Sequence, residues 1–178
     1  MGSHLFLTKP IGVGILSTSQ KKGKLKTEHA NLARNSMVQL NNIGAIFGQL
    51  DYVEAMTDVT GFGLMGHLTE MCEASNTSAE IFFDQIPLLD KSAINYYLSE
   101  KCVPGGTNRN WDSYGHKISD LTDYQKNICC DPQTSGGLLV AVKDGSEQAF
   151  IKAAAQKGLS LRPIGQMKDK SEKFVYLK

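Results

Sequence analysis

The 178-residue sequence predicts an α/β (α+β) domain, a mixed β-sheet covered by helices. Three observations carry this expectation. Apolar, β-prone segments alternate with segments of helical period, the pattern of layered α/β architecture. Leu138–Val142 (LLVAV) is a continuous apolar run, suited to a strand buried on both faces. Residues 56–67 (MTDVTGFGLMGH) pass from a short apolar segment through a carboxylate and a glycine turn into a helix-like pattern.

Along the chain, Leu5 to Leu16 is apolar and β-prone with Pro10 interrupting it, which places a strand at about Ile11–Leu16. Gly12 and Gly14 in that segment suggest close approach by another backbone or a ligand. Ser17 to Lys26 is polar and lysine-rich, a solvated loop. Thr27 to Leu50 predicts a long helix, with Thr27 as N-cap. Its apolar face is Ala30, Ala33, Met37, Leu40, Gly44 and Phe47. Val53–Val59 reads as a strand, Gly66–Ala74 as a helix, Ala79–Phe83 as a strand and Lys91–Ser99 as a short helix. Cys102–Lys117, rich in Gly, Asn and Pro, reads as a long loop, and Asp120–Asn127 as helical. Ser146–Lys157 is a helix closed by Gly158. Leu161–Met167 and Lys173–Leu177 complete the sheet.

The length suits one domain with a real core. Met1-Gly2-Ser3-His4 reads as an expression scar, so the fold argument covers residues 5–178 as a single domain. Lys plus Arg number 19 against 18 Asp plus Glu. That balance gives no electrostatic argument for nucleic acid or an anionic membrane, and no apolar run approaches the length of a membrane span. The four cysteines, Cys72, Cys102, Cys129 and Cys130, include no C-x-x-C pair. Zinc is therefore not expected. Reduced, structural thiols in a cytoplasmic protein are.

Three segments carry unusual chemistry. In MTDVTGFGLMGH, Asp58 offers a hard oxygen ligand for Mg²⁺, an ion bound by one or two carboxylates plus substrate phosphates. Thr57 and Thr60 flank it, and Gly61 and Gly63 let backbone N–H groups approach an anion at the helix start. The structural alternative is an Asp that merely caps the helix. In VPGGTNRN, Gly105, Gly106, Thr107 and Asn110 offer donors to an anion, or form a solvent turn. In CDPQTSGG, Asp131, Thr134 and Ser135 contact a ligand, or shape a turn that feeds the core strand. His67 and His116 each adjoin a glycine-rich segment. A lone histidine is more often a hydrogen-bonded structural residue than a ligand contact.

Together MTDVTGFGLMGHLTEMC, VPGGTNRNWDSYGH and CDPQTSGGLLVAV, with LTKPIGVGIL before them, resemble the C-terminal half of selenophosphate synthetase (selenide, water dikinase). The resemblance covers Leu5 to Lys178. It implies the C-terminal domain of the aminoimidazole ribonucleotide synthetase-like fold. The family's reaction turns ATP, selenide and water into selenophosphate, AMP and phosphate, for selenocysteine and selenouridine. By motif, Asp58 is the aspartate this domain lends to a Mg²⁺–ATP site. The family's N-terminal domain supplies most ATP contacts, the Cys or Sec nucleophile with its Lys, and the homodimer contact. No segment here matches that domain, so no catalytic residue is expected on this chain, and a piece lacking it is expected to bind neither ATP nor metal tightly. Two other readings stand beside this one: a non-catalytic folding or interaction module with an exposed apolar face, and another ATP-using synthetase of the same superfamily.

Overall fold

The computed structural model describes residues 2–178. In chain order the elements are β1 (His4–Leu7), α1 (Val13–Lys21), α2 (Leu32–Met37), α3 (Ile43–Phe47), β2 (Val53–Asp58), α4 (Gly63–Ser75) and β3 (Ser78–Ile81). They continue with α5 (Lys91–Ser99), α6 (Gly105–Tyr114), α7 (Asp123–Cys129), β4 (Leu138–Val142), α8 (Glu147–Ala155), β5 (Gly165–Lys168) and β6 (Val175–Leu177). The strands form one mixed sheet in the order β2-β4-β1-β5-β3-β6. Only the β3–β6 pair is parallel. The α/β expectation is met.

Strand β4 organises the core. All five of its residues are buried. Leu139 and Ala141 join the larger cluster, with Leu64, Met65 and Leu68 of α4 and Ile15 and Leu16 of α1. Leu138, Val140 and Val142 point the other way, against Phe47 of α3 and Phe150 of α8. The period of two thus divides one strand between two cores. Fully burying each such large apolar side chain contributes roughly 1.5–3 kcal/mol.

Three local expectations are corrected. The first strand lies at His4–Leu7, before Pro10, and Val13–Lys21 is helix rather than strand and loop. Gly12, at φ +125°, breaks the extended path. The N–H groups of the first turn of α1 are then bonded from far away in sequence. Gln133 Oε1 accepts from Gly12 and Val13 at 3.2 Å each, and Asp131 Oδ2 accepts from Gly14 at 3.1 Å. No local residue could announce a cap supplied by residues so distant.

The long helix expected over 27–50 is broken into a 3-10 turn at Thr27–His29, then α2 and α3, and Thr27 caps nothing. Residues 39–41 are drawn out of helix by partners elsewhere. Lys9 Nζ donates to the Gln39 carbonyl at 2.7 Å, and the Asn41 side chain donates to the Gly136 carbonyl at 2.8 Å. Ala30 and Leu40, expected on an apolar face, are exposed.

The loop expected over 102–117 contains helix α6. Its buried positions are Thr107, Asn110 and Tyr114, at i, i+3 and i+7. The helical period was present but was carried by polar and aromatic residues. Tertiary contacts override the low helix propensity of Gly and Asn.

Candidate functional site

The glycine-rich segments meet at one end of the sheet. Asp58 closes β2 opposite Leu138, the first residue of β4. Val59 N–H then donates to the Gly137 carbonyl at 2.8 Å, and Gln133 N–H donates to the Thr60 carbonyl at 2.9 Å. These bonds lace the Asp58 turn to the CDPQTSGG turn. A Cβ at Gly136 would lie 2.0 Å from the Val59 carbonyl oxygen, so the approach requires glycine. Gly63 sits at φ +71°, and a Cβ there would meet the Cys130 backbone at 2.9 Å. Asn110 of α6 donates from Nδ2 to the carbonyls of Gly61 at 2.9 Å and Cys130 at 3.0 Å. Tyr114 hydroxyl donates to the Phe62 carbonyl at 2.5 Å. One buried amide and one buried phenol therefore hold the turn in place.

Asp58 itself is exposed. Among the described residues no hydrogen bond or ion pair engages its carboxylate; only its backbone carbonyl accepts, from Thr57 Oγ1 at 3.3 Å. The chemistry of the turn suits a hard cation, because its exposed side chain, Asp58, ends in carboxylate oxygens. A His–carboxylate group elsewhere, His4, Asp144 and Glu147, has its ligand atoms within 4.8 Å of one another. It lies at the opposite end of the β1–β4 ladder, where His4 pairs with Val142.

A cleft of about 590 Å³ opens beside the turn, between α1 and the start of α6. It collects Gly61, Gly105, Gly106, Asn110 and Thr134, five of the residues singled out by sequence, from all three motifs. Lys21, Lys22 and Arg109 also line it, and no carboxylate does. Lys21 and Lys22 fall in the polar stretch whose composition predicts a solvated loop. Their signal would have been the helical phase that carries Ser17, Thr18 and Lys21 along one side of α1. Such a cleft favours an anion by charge and by the free N–H groups at the start of α6.

Other predicted residues lie apart. Thr57 borders a separate groove with His67 and Glu70. Thr107 is fully buried, with its hydroxyl unpartnered. Ser135 is exposed at φ +48°, and its carbonyl accepts from Lys9 Nζ at 2.8 Å. His116 is exposed, and its carbonyl accepts from Lys173 Nζ at 2.8 Å. Asp131 is buried, facing α1. Burial pushes its carboxyl up to about 8, against the opposing pull of the Gln133 amide and the Gly14 and Ile15 N–H groups. Gln133, missed by the sequence reading, joins these parts. Its Nε2 donates to the Asp131 carboxylate at 2.7 Å while its Oε1 caps α1. Lys9 was missed as well; it is buried, and its burial lowers its pKa.

Known proteins share this sequence family and fold. A family model described as AIR synthase related protein, C-terminal domain, matches residues 1–178, and the chain belongs to that family. Within the family it is 61% identical over 167 residues to a selenide, water dikinase of Aeromonas hydrophila, covering 94% of this chain and 48% of that protein. It is 56% identical over 174 residues to a selenide, water dikinase of Haemophilus influenzae, covering 98% and 50%. The chain thus spans about half the length of the curated relatives it matches. The fold recurs in a thiamine-monophosphate kinase of Stenotrophomonas maltophilia (TM-score 0.68, 14% identity, covering 100% of this chain and 50% of that one). It also recurs in an E. coli hydrogenase maturation protein (TM-score 0.65, 17% identity, 99% and 46%).

Proposed function

We propose that this chain is the C-terminal half of a selenide, water dikinase, which makes selenophosphate, AMP and phosphate from ATP, selenide and water. The observation that carries the reading is 61% identity over 94% of the chain to a selenide, water dikinase. On this reading the TDVTGFG, PGGT and DPQTSGG segments serve that enzyme. The exposed, unpaired Asp58 carboxylate at the meeting of those segments supports it.

The division of labour follows from the residues. Asp58 offers an oxygen to a Mg²⁺ ion that an N-terminal half holds together with ATP. Bound Mg²⁺ supplies neutralisation of phosphate charge, on which phosphoryl transfer depends. Lys21, Lys22 and Arg109 hold positive charge over the neighbouring cleft, where an anionic substrate or product group is received. Asn110 and Tyr114 keep the turn rigid, so that Asp58 arrives at a fixed place when the two halves close. The nucleophile belongs to the other half, and this chain alone binds Mg²⁺ and ATP weakly. The whole enzyme works as a cytoplasmic homodimer, without nucleic acid or membrane. Among the described residues no helix is long and apolar enough to cross a membrane.

The interaction-module reading has one observation of its own. Val38, Leu40 and Ile46 are 66%, 80% and 39% exposed on the α2–α3 segment. We assign that surface to contact with the N-terminal half, so the two readings meet. Mixing this chain with the separately produced N-terminal half of a relative tests the proposal. Selenide-dependent AMP release is expected from the mixture and not from this chain alone. AMP release by the chain alone contradicts it.

A further inference from the structure

We infer that His4, Asp144 and Glu147 form a binding site for a divalent transition-metal ion of the zinc class, which pins the first strand to helix α8. The site is independent of the metal reading of Asp58. It adjoins Val142 at one end of β4, whereas Asp58 pairs with Leu138 at the other.

Three elements bring the ligands together. His4 stands on β1, paired with Val142 on one side and Gln166 on the other. The Ser3 carbonyl accepts from Met167 N–H at 2.7 Å, so the sheet also holds the residue ahead of His4. The family match covers these residues too. Asp144 follows β4, and Glu147 is the first residue of α8. Gly145, at φ +80°, turns the chain between them, and its N–H donates to Glu147 Oε1 at 2.9 Å. That bond orients the Glu147 carboxylate.

Both carboxylates converge on one atom. His4 Nε2 is 2.8 Å from Glu147 Oε1 and 3.5 Å from Asp144 Oδ1. A ring nitrogen carries at most one hydrogen, so Nε2 serves at most one of them in any protonation state. Among the described residues no lysine or arginine forms an ion pair with either acid. A divalent ion between them neutralises both charges and uses the same nitrogen as a third ligand. Zinc ligands about 2.1 Å from the ion at tetrahedral angles lie roughly 3.4 Å apart. The three atoms here lie within 4.8 Å of one another. The Asp144 side chain is 70% exposed, which leaves a fourth position open to water. Imidazole nitrogen with carboxylate oxygen suits zinc and its first-row neighbours, whereas Mg²⁺ prefers a shell of oxygens. A plain hydrogen-bonded triad would tie β1 to α8 without taking up an ion.

The test titrates this chain with Zn²⁺ alone, by calorimetry and by the ring resonances of His4. One equivalent should bind, shift those resonances and raise the thermal midpoint, and excess Mg²⁺ should not displace it. His4→Phe and Asp144→Asn should each weaken the binding by about ten-fold or more, the scale on which metal sites lose affinity when a supporting group is removed. Asp144 is exposed, so Asp144→Asn keeps the fold even where His4→Phe disturbs β1. Asp58→Ala should bind Zn²⁺ as tightly as the unsubstituted chain. Absence of binding, affinity indifferent to Asp144→Asn, or displacement by Mg²⁺ overturns the inference and leaves the reading of Asp58 intact. Zinc affinity that falls with Asp58→Ala instead places the ion at the turn and overturns the inference as well.

Discussion

The Asn110 side chain donates to the Gly61 carbonyl at 2.9 Å, tying helix α6 to the turn that carries Asp58. Its second hydrogen goes to the Cys130 carbonyl at 3.0 Å. The residue is 7% exposed, so water cannot replace it. Asn110→Leu keeps the volume and strands the buried Cys130 carbonyl, while the Gly61 carbonyl, on an exposed residue, can turn to water. Leaving a buried acceptor unpaired costs about 1–3 kcal/mol. The expected outcome is a lower midpoint in urea, with amide hydrogen exchange accelerated at residues 61–63 before the rest of α4. An unchanged midpoint would mean the turn is held by something else.

Glycines of the two facing turns should behave in opposite ways. Gly136→Ala puts a Cβ 2.0 Å from the Val59 carbonyl oxygen, a backbone atom that cannot step aside. It should disrupt the junction of the two turns and destabilise the fold severely. A Cβ at Gly61 meets nothing within 4 Å, so Gly61→Ala should shift stability by no more than about 0.5 kcal/mol. Thermal melts of the two variants decide. Because Gly61 lines the cleft, a functional defect in a stable Gly61→Ala chain would report on ligand contact rather than folding.

Much of this was legible in the sequence. Strands β2 and β4, helix α5 and the closing pair β5 and β6 follow from period and punctuation. The Asp58 turn, PGGT and DPQTSGG are each readable as motifs, but their meeting at one end of the sheet is not. What escaped was everything settled by distant partners. The start of α1 depends on Gln133 and Asp131. The break after α2 depends on Lys9 and Gly136. Helix α6 hides its period in Thr107, Asn110 and Tyr114, which count as polar or ambiguous until their buried partners are known. The cationic cleft is not legible because Lys21 and Lys22 sit in a polar, lysine-rich stretch whose composition points to loop, while the structure makes Lys21 the last residue of α1 and Lys22 its C-cap.

Asp131 should make stability fall as pH rises. Burial moves its carboxyl from an ordinary value of 3.8 to about 8. Between those values the folded chain keeps a proton that the unfolded chain has lost. Stability therefore declines with rising pH across that window, and this contribution levels off above about 8. Asp131→Asn, which cannot titrate, should flatten that slope. Urea titrations across the window check it. A slope of opposite sign in the unsubstituted chain would contradict the assignment.

The thiols should be inert in the folded chain. All four cysteines are free and buried. Burial pushes the Cys72 thiol up to about 12 and the Cys130 thiol up to about 11, so little thiolate forms at neutral pH. A thiol-reactive chromogen should label none of them rapidly until denaturant is added. Fast labelling of one native cysteine would reopen the question of a nucleophile on this chain.

The central claim is that Asp58 serves a metal-dependent site completed by another polypeptide half. The most direct measurement compares the unsubstituted chain with Asp58→Ala, each combined with the N-terminal half of a selenide, water dikinase. An exposed carboxylate without partners can be removed at little cost, so both chains should melt alike. Selenide-dependent AMP formation should then appear with the unsubstituted chain and be lost with Asp58→Ala. Equal AMP formation by the two mixtures would contradict the account.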